Sequence, residues 1–170
     1  MVERGGFYTD GTNVIFQTVS IEWNLGFDIH AKHAYINRII DALGDKYKPC
    51  YDVTSASPDP MARSLSPLFL HYNGTSLETL IMNNKELMVP GVADFFYANA
   101  LSVKQKEFIR NVNCFIDVFY KPENKRNTQA CHLAVFKLLQ YQNKEYLLGN
   151  MDNFLSWYND VGFYWLGGQR

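Results

Sequence analysis

Long apolar runs are missing from this sequence: none approaches the roughly 20 residues a membrane-spanning helix needs, and the opening MVERGG carries no apolar leader. A cytoplasmic protein with no membrane partner is the expectation. Cysteine is scarce, with three residues in 170, and Cys50, Cys114 and Cys131 stand far apart with no CxxC or Cys/His spacing. That excludes a disulfide framework and offers no zinc motif, so reduced thiols and no metal are expected. Net charge is nearly absent too, at −1, so the field of the whole molecule does not draw it to nucleic acid. Any such contact is local, and the best stretch is 104–126, where Lys104, Lys106, Arg110, Lys121, Lys125 and Arg126 outnumber the acids. An ordinary solvated lysine surface explains the same stretch. Neither a P-loop nor a Rossmann glycine pattern occurs, so the usual nucleotide folds are disfavoured and no cofactor is implied.

What the chain does have is apolar bulk: 47% of its residues are hydrophobic and 15% aromatic, enough for one core and too little chain for two. A single domain over 1–170 is expected, α+β in class, predominantly helical with a small β component. β-branched and aromatic residues fill 7–23 around a Gly11-Thr12-Asn13 turn, which predicts strand, turn, strand. Asp28 caps a helix to Leu43 in which Ile36, Ile39, Ile40 and Leu43 form one stripe, and Gly44 stops it. A short strand is expected over 50–55, running into a loop over 55–59 where Pro58 and Pro60 forbid its regular continuation, and another strand over 68–72. Thr75-Ser76-Leu77-Glu78 has the form of a capping box and opens a helix expected to reach Lys85 or beyond. Further helices are predicted over 92–101, 104–112, from Asn127 through the stripe Cys131, Ala134, Val135 and Leu138, and over 152–158. Residues 114–120 alternate as a strand with Asp117 embedded among aromatics, and the aromatic 163–165 should lie against the body.

On one helix, Glu78, Met82 and Lys85 share a face, with the carboxylate and the ammonium about 10 Å apart along the axis, so that they can address two ends of one ligand. A closed capping box and a surface lysine are the plain alternative. The four histidines show no spacing of a metal site or nucleophile triad. Ser55 and Ser57 lie where a strand ends, a place where hydroxyls and backbone N–H groups can cradle phosphate, and Asn127, Thr128 and Gln129 sit at a helix N-terminus, which favours anions. Loop and cap functions explain both equally simply.

Taken in order, these segments resemble the NADAR antitoxins that accompany DarT-type DNA ADP-ribosyltransferases. Trp23 and Gly26, then Lys32 and Ile36, resemble the family's opening Trp/Gly and the helix after it. YDVTSASPDPMARSLSPLFL over 51–70 is similar to its serine-bearing loop, and SLETLIMNNKEL over 76–87 to its SVExxFQxSKxF motif, which Glu78 and Lys85 match. Asp94, Tyr97, Asn99, Ala100 and Leu101 resemble a further helix, and FIDVFYKPENKRNTQA its last signature, through Phe115, Asp117, Pro122, Asn127, Gln129 and Ala130. The resemblance implies removal of ADP-ribose from modified guanine in DNA, as an antitoxin or as a phage counter-defence factor. Glu78 would then stabilise the cationic ribose or prepare a water, and Lys85 would be the nucleophile if burial lowers its pKa. It implies ligand contacts from Trp23, Lys32, Ser55, Ser57, Asp94, Asn127 and Gln129. The implied partners are ADP-ribosylated DNA or a free ADP-ribose-type nucleotide, and a cognate ADP-ribosyltransferase toxin. The chain departs from the pattern: only 88–93 stands in place of a much longer family segment, and Met82, Ala56, Phe69 and Cys131 replace polar residues. A catalytically inactive relative that sequesters ADP-ribose, cyclic ADP-ribose or an NAD-derived signal is therefore the alternative, and neutralisation of a toxin by contact alone is a third.

Overall fold

A computed structural model of the chain describes residues 6–9, 14–17, 29–89, 91–117, 129–161 and 164–166. Over these residues the fold is α+β, mostly helical with a five-stranded mixed sheet and a two-stranded ribbon. Strands β1 (Gly6–Thr9) and β2 (Val14–Gln17) form the expected antiparallel hairpin, in register Phe7↔Phe16 and Tyr8↔Ile15. The alternation of Val19, Ile21 and Trp23 falls outside the described residues. β3 (Cys50–Asp52) and β6 (Cys114–Ile116) run parallel, β6 pairs antiparallel with β1, and the aromatic C-terminus does more than lie against the body: as β7 (Tyr164–Leu166) it pairs parallel with β2. The order is therefore β3-β6-β1-β2-β7.

Period-two alternation gives β3 and β6 two different faces. Cys50, Cys114 and Ile116 pack against α1 (Ile29–Leu43), whose stripe supplies Ile36 and Ile39. Gly44, at φ +95, then ends that helix in a conformation that L side chains rarely adopt. Tyr51, Val53 and Phe115 join the larger core on the opposite face. At its centre α6 (Gln129–Tyr141) is buried from Ala130 to Gln140, with the sheet on one side and α4 (Val92–Ala100) and α5 (Val103–Arg110) on the other.

A helix buried all round has to satisfy its polar side chains on its neighbours. His132 meets Asp94 of α4, Lys137 donates to the Ile109 and Arg110 carbonyls at the end of α5 (3.1 and 2.9 Å), and the Gln140 amide donates to the Lys106 carbonyl at 2.9 Å. These contacts fix the register of α6 against both helices. α7 (Met151–Val161) closes the core with Phe154 and Trp157.

Three expectations are corrected. The strand expected over 50–55 ends at Asp52, and beyond the loop Pro60 starts α2 (Pro60–Arg63), with Asp59 capping the Ala62 N–H at 2.9 Å, because proline at the first helical position lacks only an N–H that would have no helical partner. The strand expected over 68–72 shrinks to β4 (His71–Tyr72), paired with β5 (Thr75–Ser76) across Asn73-Gly74, both at positive φ as a type I′ turn requires. Finally, α3 (Leu77–Asn83) does not reach Lys85. Asn84 is extended and returns its side-chain amide to the Leu80 carbonyl at 3.3 Å, the competition with backbone partners that makes asparagine a poor helix interior.

Candidate functional site

The C-terminal ends of the parallel pair β3 and β6 carry one carboxylate each, Asp52 and Asp117, directed to opposite faces of the sheet. Asp52 faces α1. Its Oδ2 lies 2.5 Å from His33 Nδ1, and its Oδ1 accepts the Thr54 N–H at 2.8 Å. The Asn37 side-chain amide lies 3.0 Å from His33 Nε2, so both ring nitrogens have partners. This carboxylate is fully engaged.

Asp117 faces α6, and its Oδ2 accepts the Ala130 N–H at 2.8 Å, capping that helix from outside it. Among the described residues its Oδ1 is buried with no hydrogen-bond partner, as are Gln129 Oε1 in the first turn of the same helix and Gln140 Oε1 near its end. Burial pushes the Asp117 carboxyl up to about 7 against the Ala130 N–H, which lowers it; the charge of Asp52 adds to the rise and the Gln129 N–H opposes it. Loss of hydration outweighs the helix N-terminus here.

Asp94 and His132 form a second buried pair at 2.6 Å, with the other Asp94 oxygen holding the Gly91 N–H at 3.0 Å. Tyr97, one turn along α4 from Asp94, stacks on the His132 ring with centroids 4.4 Å apart. Its phenol is pushed well above the ordinary tyrosine range by burial, then by the charges of Asp117, Asp94 and Glu78 in that order. Of these three acids, Glu78 is the exposed one.

Glu78 lies in the first turn of α3. Ser76, not Thr75, is the cap, accepting the Thr79 N–H at 3.2 Å, so Glu78 is one position too early to close a capping box and its carboxylate is left to the surface. The Glu78 N–H donates to the Pro67 carbonyl at 3.1 Å, which joins α3 to the turn bearing the exposed Leu68 and Phe69. Met82, one turn further along the same face, is 79% exposed. An acid on an apolar rim is the local chemistry. Lys85 is exposed as well, but it belongs to the 3-10 turn Lys85–Met88, beyond the extended Asn84, so the pair does not share one helix.

Of the other sequence-derived residues, Asp94 is bound to His132 and the Gly91 N–H, and Gln129 stands at the start of α6. Ser57 is buried; its N–H donates to the Thr54 carbonyl, and its own carbonyl accepts from Arg63 Nη1. Ser55 is exposed in a loop whose Thr54, Ala56 and Ser57 N–H groups all have partners within the segment 52–57, so the backbone there offers little to a phosphate. Lys32 is in α1, with its side chain outside the description; Trp23 and Asn127 fall outside the described residues. The surface grooves among the described residues include a pair of about 370 Å³ each. One lies between Tyr72, Thr75, Leu80, Asn84, Glu86 and Phe96, the other around Gln142, Lys144, Tyr146 and Trp157, and neither includes Glu78 or Lys85.

Sequence reasoning missed the two His–Asp pairs, which span 19 and 38 residues and have no local signature. It also underrated Asp52. The readable signal was positional: in both β3 and β6 an acid follows directly on apolar strand residues. Among the described residues, no three His, Cys, Asp or Glu side chains gather to hold a metal ion, and no helix is long and apolar enough to cross a membrane. No family model and no curated protein matches the sequence.

Proposed function

We propose that the chain is a NADAR-like N-glycosidase that releases ADP-ribose from a modified base in DNA, acting through carboxylates rather than through an amine nucleophile. The observation that carries this reading is the buried Asp117 carboxyl at the end of β6, whose Oδ1, like Gln129 Oε1 in the first turn of α6, has no hydrogen-bond partner among the described residues. Cleaving a ribose–base bond builds positive charge on the sugar, and an array of carboxylates is the field that lowers such a barrier. The unpartnered acceptors Asp117 Oδ1 and Gln129 Oε1 suit donors, such as sugar hydroxyls or a base amino group, and repel phosphate. Asp117, titrating near neutrality, is the group in this cluster able to supply or take a proton at working pH. The ligand would enter at Glu78, with its base or sugar against Leu68, Phe69 and Met82.

Binding without cleavage is the second reading, and one observation favours it. Lys85 is exposed and off the helix, so it lacks the burial that would make an amine a Schiff-base nucleophile. The deciding experiment incubates the protein with an ADP-ribosylated single-stranded oligonucleotide and follows its return to unmodified mobility. Turnover that persists in Lys85→Ala and is lost in Glu78→Gln supports the carboxylate enzyme. Calorimetric binding of ADP-ribose without turnover supports the sequestering protein, and neither binding nor turnover rejects both.

A further inference from the structure

The sheet carries a second piece of chemistry on the face turned away from that cluster. Cys50 and Cys114 are direct partners in the parallel register of β3 and β6, and both pack into the small core under α1. Adjacent strands lie about 4.8 Å apart, inside the range of about 4.4–6.8 Å between Cα atoms that a disulfide spans, and paired residues direct their side chains to the same face. The two strand starts are tied further by the Asn113 N–H, which donates to the Pro49 carbonyl at 2.9 Å, and by the Asn113 amide, which donates to the Lys48 carbonyl. Both cysteines are free thiols. Cys114 is buried, while Cys50 is partly open to solvent.

We propose that Cys50 and Cys114 are an oxidisable dithiol: a small disulfide of the glutathione class converts them to a Cys50–Cys114 bond that locks β3 to β6 just ahead of Asp52 and Asp117. The Cys50 sulfur, as thiolate, attacks one sulfur of the oxidant, forming a mixed disulfide and releasing one small thiol, which takes up the proton Cys50 lost. The Cys114 sulfur then attacks the Cys50 sulfur, the protein disulfide forms, and the second small thiol leaves with the Cys114 proton. Two protein thiols are oxidised and one small disulfide is reduced to two thiols. The neighbouring Cys114 thiol, followed by burial, raises the Cys50 thiol, so the first step is slow at neutral pH and accelerates as pH rises. The inference is independent of any nucleotide ligand.

Trypsin separates the three cysteines cleanly, because it does not cut before Pro49 or Pro122: Cys50 falls in 47–63, Cys114 in 111–125 and Cys131 in 127–137. The folded protein is incubated with oxidised glutathione, blocked with iodoacetamide under denaturing conditions, digested and mapped without reductant. The expected product joins 47–63 to 111–125 at their summed mass less two hydrogens, separates on reduction, and leaves Cys131 alkylated. The same product in Cys131→Ala, and a glutathione adduct trapped on Cys50 in Cys114→Ser, are expected. Recovery of Cys50 and Cys114 from the native protein as alkylated peptides or glutathione adducts, or cross-links to Cys131, overturns the proposal, whether or not the variants fold.

Discussion

Substituting Asp117 with asparagine isolates the electrostatic cost of placing a carboxyl at the end of β6. An Asn side-chain oxygen can still accept the Ala130 N–H at the α6 N-terminus, so the shape and the cap survive while the titration disappears. In the wild type the carboxyl titrates at about 7 when folded and at 3.8 in its unperturbed state. Between those values the unfolded chain has released a proton that the folded chain retains, so stability falls as pH rises through this window and stays low above it. From pH 5.5 to 8.5 roughly 1.5 units of that difference remain, and at 1.36 kcal/mol per unit the wild type loses about 2 kcal/mol that Asp117→Asn does not. For a chain of this length that is about 4–8 °C in Tm. The assay is thermal unfolding followed by circular dichroism at a series of pH values for both proteins, since every other titrating group is common to the two and cancels in the difference. Wild-type Tm should fall away from the variant's as pH increases. Parallel profiles would refute the buried-carboxyl reasoning.

Gly91→Ala should destabilise by about 2 kcal/mol in urea unfolding, combining a positive-φ site with a Cβ that would meet Leu155 Cδ2 at 3.0 Å and Tyr158 Cδ1 at 3.2 Å. Asp94→Ala leaves both His132 and the Gly91 N–H without their acceptor inside the core and should cost about 3 kcal/mol by the same measurement; a loss under 1 kcal/mol would mean the pair is not structural. Lys137→Met removes the donor to the Ile109 and Arg110 carbonyls and should destabilise by about 1–3 kcal/mol near neutral pH. It should also flatten a pH trend. Burial, with Arg110 nearby, lowers Lys137 to about 8 from 10.5, so between these values the unfolded chain holds the extra proton and wild-type stability rises with pH, which the variant will not show.

Much of the scaffold was legible because local signals and packing agree. The Ile36/Ile39 stripe and Gly44 gave α1, the apolar run through Leu138 gave α6, and Asn73-Gly74 marked a turn, although its strands are only two residues long. The elements misread are those in which a weak preference was decided by a partner. Pro60 became a helix start once Asp59 was free to cap, and Asn84 ended α3 by bonding back to Leu80. The candidate site was legible only as isolated residues. Asp94, Gln129 and Glu78 could be singled out by likeness to a family, but their neighbours are set by how α4 and α6 cross and by how β3 and β6 lie in parallel, and no spacing in the sequence encodes a contact across 38 residues. Lys85 was paired with Glu78 by helical arithmetic that holds only if the helix continues, and it stops at Asn83.

The most direct test of the central claim is the single-turnover release of ADP-ribose from an ADP-ribosylated oligonucleotide by the wild type and by Glu78→Gln, with each protein's fold checked by its melting curve. The carboxylate account predicts release by the wild type and a loss of at least a hundredfold, of the order seen when a charge-stabilising or proton-transfer group is removed, in a variant that melts like the parent. Equal release by the two proteins would contradict it.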